Sequence, residues 1–458
     1  MTIGKRVFYM QFNKKNLLLA VGCWLLVASN ATANTTPTIE TFTLKNGLEV
    51  IVVENHRIPA VNHTLWYRVG AADDPTGKSG LAHYHEHAMF LGTEKYKSGE
   101  YSKIITAHGG EQNAFTGHDA TAYFVNIAKE KLPLAMEMEA DRMRGLVLDD
   151  KEMEKEKQVI IEERRMRIDN NPEALLGEQI NASLFRNHPY RLPVIGWQHE
   201  MNGLTKKDVI DFHNKYYHPN NAILIVGGDV SGAEVRKLAE KYYGGFINTV
   251  IPERHWNEEP PQIVARRITL HHDQVSQPEW TRLYAVSSLG YGKHEQALPL
   301  FILAQVLGGG KTSRLYSELV NKQKIATEVS VNYQGFSKGI GKFSIDIIPA
   351  QNISTATVEA EADKEISKLL HDGITGEELE RAKTLLKADT IFARDGLSSM
   401  ANIIGWVRMI GLNTSYFTNW SILIDKITAD EVMTAIKDNL KLEQSVTAQL
   451  LPKEKEMK

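Results

Sequence analysis

The feature that most constrains the fold of this chain is an internal repeat, with a period of a little over 200 residues in a total of 458. A helical pattern followed by a turn and a strand-like run at 204–230 recurs at 427–452. The charged segment that starts at Leu148 recurs from Ile374, and the segment around His83 recurs at 299–310. Three echoes at similar offsets indicate a tandem duplication of one large domain.

Each copy mixes strand-like runs, such as Glu49–Val53 and Ala222–Val226, with long helical patterns and without regular alternation of the two. This mixture predicts an α+β fold in which each domain is a mainly antiparallel sheet covered by helices on one face. We expect an N-terminal domain at 38–247, a proline-containing linker at 248–265 and a homologous C-terminal domain at 266–452.

The N-terminus has the pattern of a cleavable secretory signal peptide. Four cationic side chains within residues 5–15 precede an apolar run at 17–28, and small residues follow up to Ala33. The apolar run is too short to span a bilayer comfortably, and no other stretch of the sequence is long and apolar enough. We therefore expect cleavage after Ala33 and a periplasmic or otherwise exported protein without a membrane span.

Composition excludes several classes of function. The only cysteine, Cys23, lies inside the apolar run, where lipidation is an alternative to simple cleavage. Without it the mature chain has no thiol, which excludes disulfides, cysteine catalysis and cysteine-bound zinc. The formal net charge is −3 and no basic block is present, so nothing indicates a nucleic-acid partner.

The residues that carry chemistry are centred on His83, Glu86 and His87, which match the inverted zincin pattern H-x-x-E-H. On a helix, side chains four residues apart are neighbours, so both imidazoles can reach one zinc ion. Glu86 falls beside the second ligand, close enough to take a proton from water. His85 points to another face of the helix and is not expected to be a ligand.

A catalytic zinc site needs a third protein ligand and an open position. The helical pattern at 151–167 is a good source, because Glu156 and Glu163 lie on one of its faces. They are separated by about 10.5 Å along the axis, so one is expected to be the ligand and the other a supporting group. Taken singly, a histidine pair is more often structural and a glutamate-rich helix more often a solvated face; the combination favours a metal site.

The segment at 80–93, GLAHYHEHAMFLGT, resembles the signature of the pitrilysin, insulysin and mitochondrial processing peptidase family. The likeness extends to 109–116, to 156–163 and to His188–Tyr190, and it covers nearly all of the mature chain. It implies a family fold of duplicated α+β domains, in agreement with the repeat.

The resemblance also implies roles, residue by residue. His83 and His87 correspond to the first two zinc ligands and Glu86 to the catalytic base, which accepts the proton of water and later delivers it to the leaving amine. Glu163 takes the place of the third ligand, and Glu156 that of a supporting acidic residue. One Zn²⁺ per chain is expected.

The resemblance further implies a binding strand for substrate. The residues Asn113, Ala114, Phe115 and Thr116 correspond to an edge strand to which a peptide adds as an extra strand. Such binding reads backbone more than side chains, so specificity should be loose. The two halves of the family enclose a chamber, which favours short or unfolded peptides over folded proteins.

The second half departs from this pattern. It has Phe301, Ala304 and Gln305 where the first half has the three motif residues, so it is not expected to bind zinc. Family members that complete the site within one chain carry an arginine and a tyrosine where this sequence has Val320 and Thr327. We hypothesise that a homologous second subunit supplies this pair, which makes the chain the zinc-bearing half of a heterodimer.

Together these features predict a zinc-dependent endopeptidase that cleaves short or unfolded peptides. A non-catalytic binding or assembly subunit of the same fold is the main alternative. A zinc transport or storage protein is a further alternative, although such a protein would not need Glu86. The two can be separated from a peptidase by replacing Glu86 with Gln.

Overall fold

The computed structural model describes residues 38–453, apart from the side chains of 391–395 and 397, so the predicted signal peptide and Cys23 lie outside the described residues. We call the part from β1 to α8 the N-terminal half and the part from β7 to β11 the C-terminal half. The N-terminal half contains six strands: β1 Thr38–Thr43, β2 Glu49–Glu54, β3 Ala60–Tyr67, β4 Glu111–Thr116, β5 Thr121–Ala128 and β6 Ala222–Gly228. Its helices are α1 Leu81–Ala88, α2 Glu100–Ala107, α3 Leu132–Arg144, α4 Asp150–Arg164, α5 Pro172–Leu184, α6 Gln198–Asn202, α7 Lys206–Tyr216 and α8 Gly232–Tyr243.

The C-terminal half contains five strands: β7 Arg266–His272, β8 Glu279–Val286, β9 Ala326–Gln334, β10 Gly341–Pro349 and β11 Ser445–Pro452. Its helices are α9 Ala297–Gly308, α10 Thr355–Asp372, α11 Gly376–Asp395, α12 Leu397–Met409, α13 Thr414–Thr418, α14 Trp420–Lys426 and α15 Ala429–Asn439. A π-helical turn at Arg165–Asp169 continues α4, and a second one covers Tyr316–Lys322.

The two sheets have related topologies. The strand order is β1-β2-β6-β3-β5-β4 in the first sheet and β7-β11-β8-β10-β9 in the second. Each sheet is antiparallel except for one parallel pair, β2 with β6 and β7 with β11. The α7–β6 unit recurs as α15–β11 and α4 recurs as α11, so the predicted duplication and α+β fold are confirmed.

The helix starts follow local side-chain chemistry. Thr205 caps the start of α7 and Thr428 caps the start of α15, each through a capping box. In this motif the threonine hydroxyl accepts from the backbone amide three residues later, and the carboxylate of that residue accepts from the backbone amide of the threonine. Asp149 caps α4 by accepting from the amides of Lys151 and Glu152. The repeat is therefore preserved down to the hydrogen bonds that start equivalent helices.

The two halves are joined by an exchange of helices. The main helical layer of the N-terminal half, including α1 and α3, packs on one face of its sheet. The other face is covered by α12 from the C-terminal half, where Ile404 and Val407 pack on the sheet residues Trp66 and Ile225. In return, α5 from the N-terminal half contacts β7, β8 and β11. Each half thus supplies the second layer of the other's sheet.

The segment between α8 and β7 contains no helix or strand. Hydrogen bonds to the N-terminal half hold it in place. Arg254 donates to the carboxylate of Asp73 and to the backbone oxygen of Asp119, 2.7 Å away. The carboxylate of Glu259 accepts from three successive backbone amides at 186–188. Within residues 38–453, no helix is long and apolar enough to cross a membrane.

Candidate metal centre

The H-x-x-E-H motif lies on helix α1, which is buried inside the protein. Gly80 precedes it with φ 87°, a left-handed conformation that favours glycine. The carboxylate of Asp74 accepts from the amides of Gly80 and Ala82, both at 2.8 Å, and so satisfies the exposed N–H groups at the start of the helix. All eight residues of α1 are buried, so its polar side chains require partners within the protein.

Three side chains converge at this helix. One ligand atom from each of His83, His87 and Glu163 lies within 4.8 Å of the others. Glu163 Oε2 is 3.3 Å from His87 Nε2 and 4.0 Å from His83 Nε2. Three ligands of a tetrahedral zinc ion at about 2.0–2.1 Å stand roughly 3.3–3.4 Å apart. The donor types therefore fit a zinc ion, and the distance from His87 to Glu163 matches this spacing, whereas the 4.0 Å from His83 to Glu163 is wider.

Two neighbours orient the candidate ligands. Glu156 Oε1 lies 2.6 Å from His87 Nδ1, so the distal nitrogen of His87 is left to face the cluster. Arg167, four residues after Glu163, forms an ion pair with Glu163 Oε1 at 2.8 Å, and Oε2 faces the imidazoles. Glu156 and Glu163 thus contact different nitrogens of His87: Glu156 lies beside Nδ1 and Glu163 lies beside Nε2.

The charges around Glu163 favour its ionised form. Burial by itself would raise the pKa of this carboxyl, but the hydrogen bond from His87 and the positive charges of His83, His87 and Arg167 outweigh burial and lower the pKa to about 2. Glu163 is therefore a carboxylate at neutral pH, which is the form that binds a metal ion.

Glu86 lies beside this cluster and has a partner from another element. Its Oε2 accepts a hydrogen bond of 2.7 Å from the hydroxyl of Thr116, the last residue of β4. Glu86 exposes only 9% of its surface and the flanking His87 only 5%. A carboxylate in this position is shielded from bulk water and fixed in direction.

His85 faces away from the cluster, as its position in the motif predicts. Its Nε2 lies 3.1 Å from Nδ1 of His213 on α7, and its ring packs on Tyr217. Burial, together with the nearby His213, lowers the pKa of His85 well below its usual value. This side chain is a neutral part of the core between α1 and α7.

Strand β4, with the predicted substrate-binding residues, forms an outer edge of the first sheet. The amide of Ala114 donates to the side chain of Asn113 at 2.9 Å. The ring of Phe115 packs against Trp66, with 5.1 Å between ring centroids, and against Trp406 of α12 at 6.1 Å. Phe115 and Thr116 therefore point to opposite faces of the sheet, toward α12 and α1.

The corresponding helix of the C-terminal half, α9, is a core element. Phe301 packs edge-on against Tyr333 at 4.6 Å and against Trp420 at 5.5 Å. Among residues 38–453, the cluster on α1 is the one group of three or more His, Cys, Asp or Glu side chains with metal-binding spacing. Val320 lies in the π-helical turn before β9, and Thr327 lies near the start of β9.

The sequence of this chain is similar to those of known peptidases. Residues 49–197 match the model of "Insulinase (Peptidase family M16)", and residues 203–386 match that of the "Peptidase M16 inactive domain". The chain is also 35% identical to the zinc protease PqqE of Helicobacter pylori over 395 residues, which cover 84% of this chain and 87% of that protein. The chain belongs to peptidase family M16. The predicted family is thereby confirmed.

Solved structures of proteases share the fold. A crystal structure of a protease from Helicobacter pylori superposes with a TM-score of 0.84 at 31% identity, covering 91% of this chain and 100% of that one. The periplasmic protease PqqL of Escherichia coli superposes with a TM-score of 0.77 at 17% identity, over 90% of this chain and 47% of PqqL. Proteases are thus similar to this chain in both sequence and fold.

Two contacts of this site were not predicted from the sequence. The Arg167–Glu163 pair has the i, i+4 spacing of a helical ion pair, so its spacing alone would have indicated it. The bond from Thr116 to Glu86 joins residues 30 positions apart through the tertiary fold. No local pattern in the sequence indicates such a contact.

Proposed function

We propose that this M16 chain is a zinc-dependent endopeptidase that cleaves short or unfolded peptides. The observation that carries the proposal is the convergence of His83, His87 and Glu163 beside a buried glutamate, Glu86. A zinc storage or transport site needs the three ligands alone, whereas a hydrolase also needs a base next to them.

In this proposal different residues bind the metal, transfer the proton and orient a ligand. His83, His87 and Glu163 would hold one zinc ion, which would supply Lewis acidity for the activation of water and of a peptide carbonyl group. Glu86 takes the proton of the attacking water and passes it to the nitrogen of the leaving amine. Glu156 keeps His87 in the tautomer that turns its Nε2 toward the ion.

The peptide is proposed to add to β4 as an extra antiparallel or parallel strand. Within residues 38–453 no strand pairs with the outer edge of β4. The side chain of Asn113 accepts from the amide of Ala114, a bond that an added strand would replace. Phe115 fixes the strand on the sheet face that α12 covers, because its ring packs against both Trp66 and Trp406. Recognition through backbone groups is consistent with loose sequence specificity.

We further propose that the chain is exported and works with a homologous second subunit. Val320 and Thr327 stand where other family members have the arginine and tyrosine that complete the site. PqqL supports a two-unit arrangement: this chain matches a structure of the first half of PqqL over 92% of that half, and 47% of the whole. That relative is described as periplasmic, which agrees with the predicted signal peptide at 1–33.

Replacing Glu86 with Gln tests the proposed chemistry. The substitution keeps the shape of the side chain and the acceptor for Thr116 but removes the base. We expect one zinc per chain in both proteins, and peptide turnover at least about a hundredfold lower in the variant. A non-catalytic subunit or a storage protein would show no turnover in the wild type and no effect of the substitution.

The heterodimer is tested by assembly. The chain purified alone is expected to bind zinc and to cleave a quenched fluorescent peptide only weakly, with activity restored when a homologous subunit carrying the arginine and tyrosine is added. Strong activity from the isolated chain would contradict the heterodimer while leaving the zinc peptidase assignment intact. The oligomeric state of the active fraction, measured by light scattering, separates the two outcomes.

A further inference from the structure

The contact between β4 and α1 suggests a role for one more side chain of the proposed active site. Thr116 ends β4, and its hydroxyl donates to Glu86 Oε2 at 2.7 Å. A hydroxyl has one proton to donate, and a bond to a carboxylate is among the stronger hydrogen bonds in proteins. In this arrangement the proton of Thr116 is committed to Glu86.

The neighbouring hydroxyl of Thr121 does not compete with Glu86 for the proton of Thr116. Thr116 faces Thr121 across the β4–β5 pair, with 3.5 Å between the two hydroxyl oxygens. The hydroxyl of Thr121 itself donates to the backbone oxygen of Val69 at 3.0 Å. Thr121 is therefore engaged elsewhere, and Thr116 is left to donate to Glu86.

The strand below Thr116 is fixed by the other half of the molecule. Alternating side chains of a strand point to opposite faces, so Phe115 anchors β4 on the α12 side while Thr116 reaches α1. The ring of Phe115 contacts Trp406 from α12, and Trp406 contacts Trp66 at 5.3 Å between ring centroids. The position of the Thr116 hydroxyl is thus set by packing that involves both halves.

We propose that Thr116 is a positioning residue, which orients the carboxylate of Glu86 for proton transfer and does not bind the substrate through its side chain. This inference rests on the proposed peptidase function. A freely rotating carboxylate would spend much of its time out of line with the attacking water, and small misplacements of a catalytic group have large effects on rate. Peptide addition to β4 uses backbone groups, so the hydroxyl is available for this task.

Two substitutions separate positioning from structure. Thr116→Val has nearly the same shape but no hydroxyl, and Thr116→Ser keeps the hydroxyl and loses a methyl group. We expect Thr116→Val to lower kcat about ten- to a hundredfold with KM and zinc content close to wild type. Thr116→Ser should restore most of kcat. Thr64→Val is the matched control, because it removes a threonine hydroxyl that donates to Asn62 at 2.7 Å on strand β3.

The experiment uses the full mature chain isolated with any second subunit that accompanies it, loaded with zinc and assayed with a quenched fluorescent peptide. Crystal structures of both Thr116 variants give a readout independent of turnover: Glu86 should keep its orientation in Thr116→Ser and leave it in Thr116→Val. Wild-type kcat in Thr116→Val would overturn the inference, as would a rise in KM with kcat unchanged, which would assign the hydroxyl to substrate binding.

Glu86→Gln, measured in the same assay, distinguishes the failure of this inference from the failure of the proposed function. If Glu86→Gln loses turnover while Thr116→Val keeps it, the peptidase assignment stands and only the positioning role is wrong. If Glu86→Gln keeps wild-type turnover, the base is wrongly assigned and the role of Thr116 falls with it.

Discussion

The hydrogen bond between Glu156 and His87 allows a quantitative prediction about zinc affinity. The two atoms are 2.6 Å apart, and the His87 side chain is only 4% exposed, so water cannot easily replace the partner. Glu156→Gln keeps the size of the side chain and an acceptor oxygen but removes the negative charge. Loss of a carboxylate that supports a metal-binding histidine typically costs ten- to a hundredfold in metal affinity, or about 1.4–2.8 kcal/mol.

Competition between zinc-free protein and a chromophoric chelator of known affinity measures this change directly. Glu162→Gln is the matched control: it lies on the same helix, one residue before the proposed ligand Glu163, but its side chain is 56% exposed and pairs with Arg165. We expect zinc affinity within about twofold of wild type for Glu162→Gln. Equal affinities in the two variants would refute the supporting role of Glu156.

Three further predictions concern catalysis, packing and pH. Glu86→Gln should retain zinc and lose turnover by at least about a hundredfold, measured as kcat in parallel with metal analysis. Trp406→Ala should lower the free energy of unfolding by about 3 kcal/mol in urea titrations, because the indole packs on the opposite half; a change under about 1 kcal/mol would contradict that view. His63 and His213 are held neutral, since burial lowers the pKa of each from 6.5 to about 4. Below pH 6.5 the unfolded chain takes up these protons and the folded chain does not, so each residue should reduce the stability of zinc-free protein by about 2 kcal/mol between pH 7 and pH 5. A flat pH profile over this range would show that these residues are not neutral in the folded state.

Local patterns predicted much of the fold. The repeat indicated a duplicated α+β chain, and the helix-to-strand units around Ala222 and Ser445 appear in both sheets. The helical pattern at 151–167 identified α4, although the regular α-helix ends at Arg164 and continues as a π-helical turn. Helices and their ends depend on hydrogen bonds between residues close in sequence. They can therefore be predicted from the sequence without knowledge of tertiary contacts.

Contacts between distant elements could not be predicted in the same way. An apolar pattern at 397–409 indicates a helix with a buried face but not that this face covers the sheet of the other half. In the site, the motif predicted that His83 and His87 share a helical face, and the spacing of Glu156 and Glu163 predicted that only one could be a ligand. The resemblance, and not the spacing, chose Glu163. The bond from Thr116 depends on where β4 passes α1 and has no local signal.

The proposed peptidase chemistry requires zinc to bind at His83, His87 and Glu163. A crystal structure of the zinc-loaded chain, with anomalous diffraction data collected on both sides of the zinc absorption edge, tests this in one measurement. We expect a single anomalous peak per chain within about 2.0–2.2 Å of His83 Nε2, His87 Nε2 and a Glu163 oxygen. A peak bound by other residues, or no peak in protein saturated with zinc, would contradict the assignment of these three residues as zinc ligands.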